Sequence, residues 1–133
     1  MPRRVFRVCR SIYVSLDGEG AKRVGGRWNS PGHAVVYMAE TVSLAVLENL
    51  VHMSRQDLPA GYVIVAAVIP DHVRVLRVEE IASEPGPVDE RALGDRWFDS
   101  GASAVLEVRS RVVPIEHSYL LNPEHPDFAE NHG

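Results

Sequence analysis

Five glycines and one proline fall within residues 18–32, and this segment limits the possible folds more than any other part of the chain. The glycines stand at positions 18, 20, 25, 26 and 32, and the proline is Pro31. Glycine adopts backbone conformations that other residues avoid, so this density predicts a long loop. Loops of this length in a compact domain are usually functional or disordered. The segment also carries Arg27, Trp28 and Asn29, which are unusual choices for a plain linker.

The chain after this loop predicts a short strand and then a helix. Residues 35–38 (VVYM) are apolar and rich in β-branched side chains, which indicates a buried strand. Thr41 is a suitable N-cap for a helix that runs to about Arg55 and ends before Pro59. The helix carries an apolar stripe at helical spacing, formed by Leu44, Leu47 and Val51.

Strands outnumber helices in the rest of the chain. Apolar or alternating runs predict strands at 4–8, 61–70, 73–78, 103–108 and 111–115. The run 61–70 (GYVIVAAVIP) is apolar throughout, which predicts a buried central strand. Residues 89–99 predict a helix that ends near Gly101. The tail from Leu120 has too many turn residues for a regular element, and we expect about residues 128–133 to fray.

These elements and the length of the chain predict one α+β domain over residues 1–133. The 133 residues suffice for a single core, and no regular βαβ alternation is present. We therefore expect a mixed or antiparallel sheet core with flanking helices. No apolar run approaches a membrane span, and the N-terminus lacks the features of a leader. With a single cysteine, Cys9, these features predict a cytoplasmic protein.

The charge pattern favours a small anionic ligand over a nucleic acid. The net charge is -4, whereas nucleic-acid binding needs a basic surface. Cations nevertheless gather in two places, at the N-terminus and in the glycine loop, where they can attract an anion into a nearby cleft. They are Arg3, Arg4, Arg7 and Arg10, then Lys22, Arg23 and Arg27.

Glu48 is the first candidate for chemistry because it is an acidic residue on the apolar side of the predicted helix. It stands four positions after Leu44, so the two side chains share a helix face. A carboxylate there is costly unless it is paired or hydrogen-bonded. Carboxylates at the edge of apolar surfaces are also a common catalytic arrangement. A structural ion pair, or a side chain that reaches solvent from the edge of the stripe, is the alternative.

Arg27 and Tyr37 are natural companions for Glu48. Arg27 follows two glycines that allow close approach of a ligand, and its guanidinium can hold a phosphate or a carboxylate bidentately. Tyr37 is either an aromatic surface for a flat ligand ring or a buried tyrosine whose hydroxyl needs a partner. We expect Arg27, Tyr37 and Glu48 to converge on one pocket.

Two common kinds of site are not supported by the sequence. DGEGAKR contains G-x-G, but it lacks the third glycine, the preceding long strand and the following helix of a dinucleotide fingerprint. The six histidines show no HExxH or clustered spacing, so we expect no metal site.

Two long segments together resemble the RES domain family, the toxins of RES–Xre toxin–antitoxin pairs. They are GAKRVGGRWNSPGHAVVYMAETVSLAVLENLVH and LGDRWFDSGASAVLEVRSRVVPIEHSYLLNPEHPDF. The family is named for Arg, Glu and Ser positions, and the resemblance assigns these to Arg27, Glu48 and Ser110. Tyr37 matches the active-site tyrosine of the family. The NPEHP segment resembles its usual NPxHP close and places Asn122 and His125 near the pocket.

The chain departs from the family pattern at two positions. Arg109 stands where a proline usually precedes the serine, which could change how Ser110 is presented. Ser118 stands where the family often has Asn, a change that we expect to be minor.

The resemblance implies an ADP-ribosyltransferase-like fold and an enzyme with NAD as its substrate and no metal. The enzyme would cleave the nicotinamide–ribose bond by hydrolysis or phosphorolysis. Its implied catalytic residues are Arg27, Tyr37, Glu48 and Ser110. Its implied NAD-binding residues are Arg27, Trp28, Asn29, Tyr37, Asn122 and His125.

Other functions and the partners stay open at this point. A protein ADP-ribosyltransferase is the alternative enzyme, and a non-catalytic nucleotide- or protein-binding module is the alternative of another class. Water, phosphate and protein all remain candidate acceptors of ADP-ribose. The resemblance implies an Xre-like helix-turn-helix antitoxin that covers the pocket and makes the DNA contacts. It leaves open a homodimer within that complex.

Overall fold

A computed structural model describes residues 2–10, 15–51, 61–82 and 88–129 of the chain, and the description below concerns those residues. The strands are β1 (Arg3–Arg10), β2 (Val36–Ala39), β3 (Tyr62–Ile69), β4 (Val75–Arg77), β5 (Val105–Arg109) and β6 (His117–Leu121). The helices are α1 (Glu19–Val24), α2 (Val42–Leu50), α3 (Val78–Ile81), α4 (Glu90–Ser100) and α5 (Pro126–Ala129). Within this part of the chain, no helix is both long enough and apolar enough to cross a membrane.

The six strands form one mixed sheet in the order β3-β1-β2-β6-β5-β4. β4 and β5 pair in parallel, and the other neighbours are antiparallel. The predicted α+β class with a mixed sheet and flanking helices is therefore confirmed.

The sheet opens between β1 and β2. The two strands share a single paired position, Phe6 with Ala39, although β1 pairs with β3 along its whole length. Beyond that position Arg7 and Val8 of β1 are not paired with β2, and they line a cavity together with Tyr37 and Met38. The cavity at this gap in the sheet is the site described below, and we call it the main cavity.

Each face of the sheet packs against a separate part of the core. One face contributes Val5, Met38, Tyr119 and Leu121 to a cluster that includes Phe128 of α5. The other face places Leu106, Val108 and Leu120 against Leu93 and Trp97 of α4. Burying these side chains stabilises the fold by roughly 1.5–3 kcal/mol for each large residue.

Both longer helices begin at the residues that the sequence predicts. The Thr41 hydroxyl accepts a hydrogen bond from the Leu44 amide, and the Asp89 carboxylate accepts one from the Ala92 amide. Helix α4 ends at Ser100, and the C-cap residue Gly101 adopts the left-handed conformation. The predicted end of the other helix, near Arg55, lies outside the described residues.

Three sequence predictions about secondary structure are wrong. Residues 19–24 form α1 inside the predicted loop, with Glu19 at the start and Lys22 and Arg23 at the end, the order of charges that the helix dipole favours. The expected strand 111–115 is irregular, and the strand lies at β6 instead. The tail forms α5, whose Phe128 is buried, while residues 130–133 lie outside the described part.

Two predictions about burial are also wrong. The run 61–70 forms β3, which is an edge strand with Ile64 and Val68 more than half exposed. In α2 the buried residues are Leu44 and Ala45, whereas Leu47 is 42% exposed. The inward face of α2 therefore runs through positions 44, 45, 48 and 49, which keeps Glu48 on the sheet side.

Candidate active site

The main cavity has a volume of about 630 Å³ and lies where β1 and β2 separate. Its size is within the range of pockets that hold small-molecule ligands. Four of the sequence-predicted site residues form part of its wall, namely Arg27, Trp28, Tyr37 and Glu48. The predicted convergence of Arg27, Tyr37 and Glu48 on one pocket therefore agrees with the geometry.

Arg27 is held in a fixed orientation by three hydrogen bonds. Its Nε and Nη2 donate to the two carboxylate oxygens of Glu90 at 2.9 Å and 2.6 Å, and its Nη1 donates to the Arg109 carbonyl at 3.1 Å. The guanidinium carbon also lies 5.3 Å from the centre of the Trp28 ring. Because a guanidinium has five N–H groups, two N–H groups of Arg27 make no hydrogen bond within the described residues.

The hydroxyl of Tyr37 is part of the structure of the glycine loop. It donates to Asn29 Oδ1 at 2.5 Å and accepts from the Trp28 amide at 3.0 Å. Burial raises the pKa of Tyr37 to about 12, so the phenol stays protonated at neutral pH. A Cβ on Gly26 would lie 2.7 Å from this hydroxyl, which explains the glycine there. The Tyr37 ring lines the main cavity and is the part of the residue that can meet a ligand.

Asn29 holds the glycine loop together through hydrogen bonds and is not part of the wall of the main cavity. The residue is fully buried, and its Nδ2 donates to the carbonyls of Ala21, Ser30 and His33 at 3.0–3.1 Å. Together with the Tyr37 contact, this uses both ends of the Asn29 amide. The residue predicted to bind NAD thus shapes the loop that carries Arg27.

Glu48 reaches the main cavity from α2, next to two polar neighbours. The Ser118 hydroxyl donates to its carboxylate oxygens at 3.4 Å and 3.5 Å. Asn49, the next residue of α2, donates from Nδ2 to the Val8 carbonyl of β1 at 2.7 Å. This bond holds α2 against the open edge of β1, and it fixes the helix turn from which Glu48 projects.

Ser110 lies outside the cavity wall, at the start of the turn between β5 and β6. It is buried, and its hydroxyl oxygen accepts hydrogen bonds from the Val112 and Val113 amides at 3.1 Å each. Arg111 and Val112 of the same turn do line the cavity. Ser110 therefore organises a turn that forms one wall of the cavity.

Asn122 and His125 lie at the far end of β6 from Ser118, and the structure does not bring them to the main cavity. Asn122 Oδ1 accepts from the Glu124 amide at 2.9 Å, and the His125 ring contacts the Gly101 carbonyl at 3.0 Å. The Asp127 amide donates to His125 Nδ1 at 3.1 Å. The two contacts of His125 connect α5 to the end of α4.

The charged side chains of the cavity wall are mainly cationic. Among the described residues they are Arg7, Arg27, Arg111 and the single carboxylate Glu48. Such a wall attracts an anion while keeping one negative group for a developing positive charge. In the same part of the chain, no three His, Cys, Asp or Glu side chains are grouped so that they could hold a metal ion.

Sequence reasoning missed three residues of this site. Glu90 binds Arg27 across 63 positions, Ser118 contacts Glu48 across 70 positions, and Arg111 joins the wall from the β5–β6 turn. No local periodicity relates residues so far apart. The only available signal for Ser118 was its departure from the family pattern.

A second cavity of about 390 Å³ adjoins the first. Arg7, Ala21 and Tyr37 line both cavities, so Tyr37 stands at the boundary between them. The second cavity is otherwise formed by the residues around α1, including Asp17, Glu19 and Arg23. A ligand longer than the main cavity could extend past Tyr37 into this space.

Known proteins are similar to this chain in sequence and in fold. The family model for the RES domain matches residues 3–132. A protein named "Toxin Res" from Photorhabdus laumondii is 37% identical over 131 residues, covering 93% of this chain and 84% of the relative. The "Prs ADP-ribosylating toxin" of a Sphingobium strain is 39% identical over 122 residues, covering 84% of this chain and 74% of the relative.

The fold is also similar to that of a solved structure. It is a chain in the crystal structure of the M. tuberculosis MbcT-MbcA toxin-antitoxin complex, with a TM-score of 0.74 and 18% sequence identity. The match covers 100% of this chain and 78% of that chain. At this identity the likeness concerns the fold alone. The family match spans nearly the whole sequence, and two named toxins are more than a third identical to it, so the chain belongs to the RES domain family.

Proposed function

We propose that this protein is a toxin that consumes NAD by cleaving the bond between nicotinamide and ribose, and that a cognate antitoxin neutralises it. Membership of the RES domain family supports the proposal, as do relatives named "Toxin Res" and "Prs ADP-ribosylating toxin". Of these names, one states a reaction, ADP-ribosylation, so the acceptor of the ADP-ribose unit needs its own test.

The observation that carries the proposal is the wall of the main cavity. One carboxylate, Glu48, shares this wall with Arg7, Arg27 and Arg111 and with the Tyr37 ring. NAD presents the complementary groups, which are a pyrophosphate, flat rings and a ribose carbon that becomes positively charged during cleavage. The gap between β1 and β2 provides the space for such a ligand.

Glu48 acts on the ribose in this proposal. When the glycosidic bond breaks, nicotinamide leaves with the bonding electron pair and its ring nitrogen becomes neutral. Positive charge then develops on the ribose as in an oxocarbenium ion, and a nearby carboxylate stabilises it. Water or phosphate completes the reaction by bonding to the anomeric carbon, and the attacking water loses its proton to solvent. Ser118 holds the Glu48 carboxylate in place through its hydroxyl.

The other residues have binding or supporting roles. Arg27 contacts the pyrophosphate with its two remaining N–H groups, and the Tyr37 ring stacks on nicotinamide. The Trp28 ring packs against the Arg27 guanidinium. Asn29 and Ser110 act through the loops that they organise. NAD contacts by Asn122 and His125 stay predictions.

Nicotinamide release by the isolated protein tests the proposal. The purified chain is incubated with NAD, and free nicotinamide is measured by chromatography over time. We expect steady release that requires the folded protein. Tight binding of NAD in a calorimeter without any release would instead favour a non-catalytic binding module.

Transfer of ADP-ribose to a protein is the second candidate function, because one relative is named an ADP-ribosylating toxin. NAD labelled in the adenylate half distinguishes the acceptors. Label that appears on a polypeptide of a cell extract supports transfer to protein. Label that appears only in ADP-ribose or its phosphate supports consumption by water or phosphate.

An antitoxin partner follows from the same proposal. A solved structure of similar fold is that of a toxin-antitoxin complex. We propose a helix-turn-helix antitoxin of the Xre type that covers the main cavity and carries the DNA contacts. Co-expression of the neighbouring reading frame should abolish nicotinamide release, and size-exclusion chromatography with light scattering would show whether the complex holds two copies of this chain.

A further inference from the structure

Two arginines of the main cavity share one carboxylate that lies behind them. Glu90 accepts from Arg27 Nε and Nη2 at 2.9 Å and 2.6 Å, and it accepts from Arg111 Nη2 at 2.7 Å. Arg27 and Arg111 line the cavity, whereas Glu90 is not part of its wall. One acidic residue therefore joins the glycine loop to the turn after β5.

The position of Glu90 is itself fixed by helix α4. Glu90 is the first residue of the helix, directly after the N-cap Asp89. Three further residues of α4 hold the glycine loop. Arg91 donates to the Gly26 carbonyl at 3.2 Å and 3.3 Å. Asp95 accepts from the Ser30 amide and hydroxyl. Because Gly94 has no Cβ, the helix can lie directly against Trp28.

The Arg27–Glu90 contact differs from an ordinary surface ion pair. It is bidentate, both side chains are about three-quarters buried, and each charge is in a well-aligned hydrogen bond. The hydrogen bond from Arg27 lowers the pKa of Glu90, so its carboxylate is charged at neutral pH. Exposed ion pairs that lack these features contribute little to structure.

We propose that Glu90 is a positioning residue that orients Arg27 and Arg111 toward the phosphate groups of the substrate. The inference rests on the proposed function, because it assigns the arginine pair to the pyrophosphate of NAD. Glu90 keeps the two cations together despite their mutual repulsion, and it leaves two N–H groups of Arg27 directed away from itself. Glu90 does not touch the substrate.

The test measures binding of ADP-ribose, which contains the pyrophosphate but lacks the bond that is cleaved. We expect Glu90→Gln to weaken the calorimetric Kd about tenfold, because the amide keeps the size of the side chain but loses its charge. For NAD turnover we expect KM to rise by a similar factor while kcat changes less than twofold. Glu79→Gln is the control, since Glu79 lies exposed on α3 and the variant has the same net charge.

A double-mutant cycle separates positioning from general stability. Because Glu90 also holds Arg111, Glu90→Gln should weaken binding only about threefold once Arg27→Gln is present, against tenfold in the wild-type background. An undiminished tenfold effect in that background would overturn the inference, as would a Glu90→Gln protein with the affinity of the wild type. If Glu90→Gln fails to fold, Glu90→Asp takes its place in the test. The aspartate keeps the charge but has a shorter side chain, so it should weaken binding about threefold. Wild-type affinity of Glu90→Asp would again contradict the inference.

The two proposals fail in different ways. A wild-type protein that binds ADP-ribose but releases no nicotinamide contradicts the proposed reaction, and the binding cycle still tests Glu90. A wild-type protein that releases nicotinamide while Glu90→Gln retains the wild-type KM and Kd contradicts only the role of Glu90.

Discussion

The hydroxyl of Ser118 lies 3.4 Å and 3.5 Å from the two carboxylate oxygens of Glu48, and both residues form part of the wall of the main cavity. Ser118 comes from β6 and Glu48 from α2, so the contact joins a central strand to the helix that packs on β1 and β2. The family resemblance assigns Ser110 to the same site as Glu48, but the serine in contact with Glu48 is Ser118. The proposed reaction depends on this carboxylate.

Replacing Ser118 by Ala should slow turnover about fivefold. The change removes a hydrogen bond of about 1 kcal/mol to the Glu48 carboxylate, and the carboxylate becomes freer to turn away from the ribose. The measurement is kcat for nicotinamide release. Ser43→Ala on the exposed face of α2 is the control and should keep the wild-type kcat. Equal turnover in all three proteins would show that Ser118 does not position Glu48.

Replacing Ser110 by Ala should act mainly on stability and on KM. The Ser110 hydroxyl oxygen accepts from two backbone amides, so its loss should destabilise the fold by about 1–2 kcal/mol. The turn also carries Arg111 into the cavity wall, so KM for NAD should rise several-fold. Urea denaturation and steady-state kinetics measure the two effects. Unchanged stability with a hundredfold lower kcat would instead place Ser110 at the reacting atoms.

Replacing Tyr37 by Phe should destabilise the fold by about 1–3 kcal/mol at neutral pH, because the hydroxyl serves both Asn29 and the Trp28 amide. The folded protein raises the pKa of Tyr37 from 10.0 to about 12. A raised pKa gives stability that is complete below the unfolded value and is lost as pH rises through the folded value. The difference between wild type and variant should therefore be constant up to about pH 10 and shrink between pH 10 and 12.

Denaturant titrations at several pH values measure this difference. Tyr62→Phe is the control, since Tyr62 lies on the edge strand β3 and its ring contacts Arg10 rather than the glycine loop. A difference between wild type and Tyr37→Phe that grows above pH 10 would contradict the protonated, hydrogen-bonded state of Tyr37.

Replacing Gly94 by Ala should separate α4 from the glycine loop. A Cβ at this position would lie 1.8 Å from the Trp28 carbonyl oxygen, a contact that only a shift of backbone can relieve. We expect a loss of about 3 kcal/mol in the free energy of unfolding and a higher KM for NAD. Gly20→Ala is the matched control: no atom lies within 4 Å of its Cβ, and alanine favours helix α1 by about 0.5–1 kcal/mol. Equal stability of the two variants would contradict this packing.

Local chemistry predicted the parts of the fold that depend on neighbouring residues. The N-cap Thr41 follows from a side-chain oxygen placed before a helical segment, and it is observed. The position of β3 could not be predicted in this way, because an apolar run shows that a segment is a strand without showing where it lies in the sheet. β6 was missed because both of its faces are buried and its sequence lacks alternation.

The residues of the candidate site also divide into those that the sequence predicted and those that it did not. Arg27, Tyr37 and Glu48 lie within 22 positions of one another, and their residue types and helix phase predicted a shared pocket that agrees with the geometry. Glu90 and Ser118 come from distant segments that only the strand order and the packing of α4 bring near. Their contacts with Arg27 and Glu48 could be identified only from the structure.

Nicotinamide release by Glu48→Gln is the most direct test of the central claim. The amide keeps the shape of the side chain and can still accept from Ser118, but it cannot offset positive charge on the ribose. We expect release to fall at least a hundredfold while circular dichroism and ADP-ribose binding stay close to the wild type, with Glu79→Gln as the charge-matched control. Release by Glu48→Gln at the wild-type rate would contradict the account.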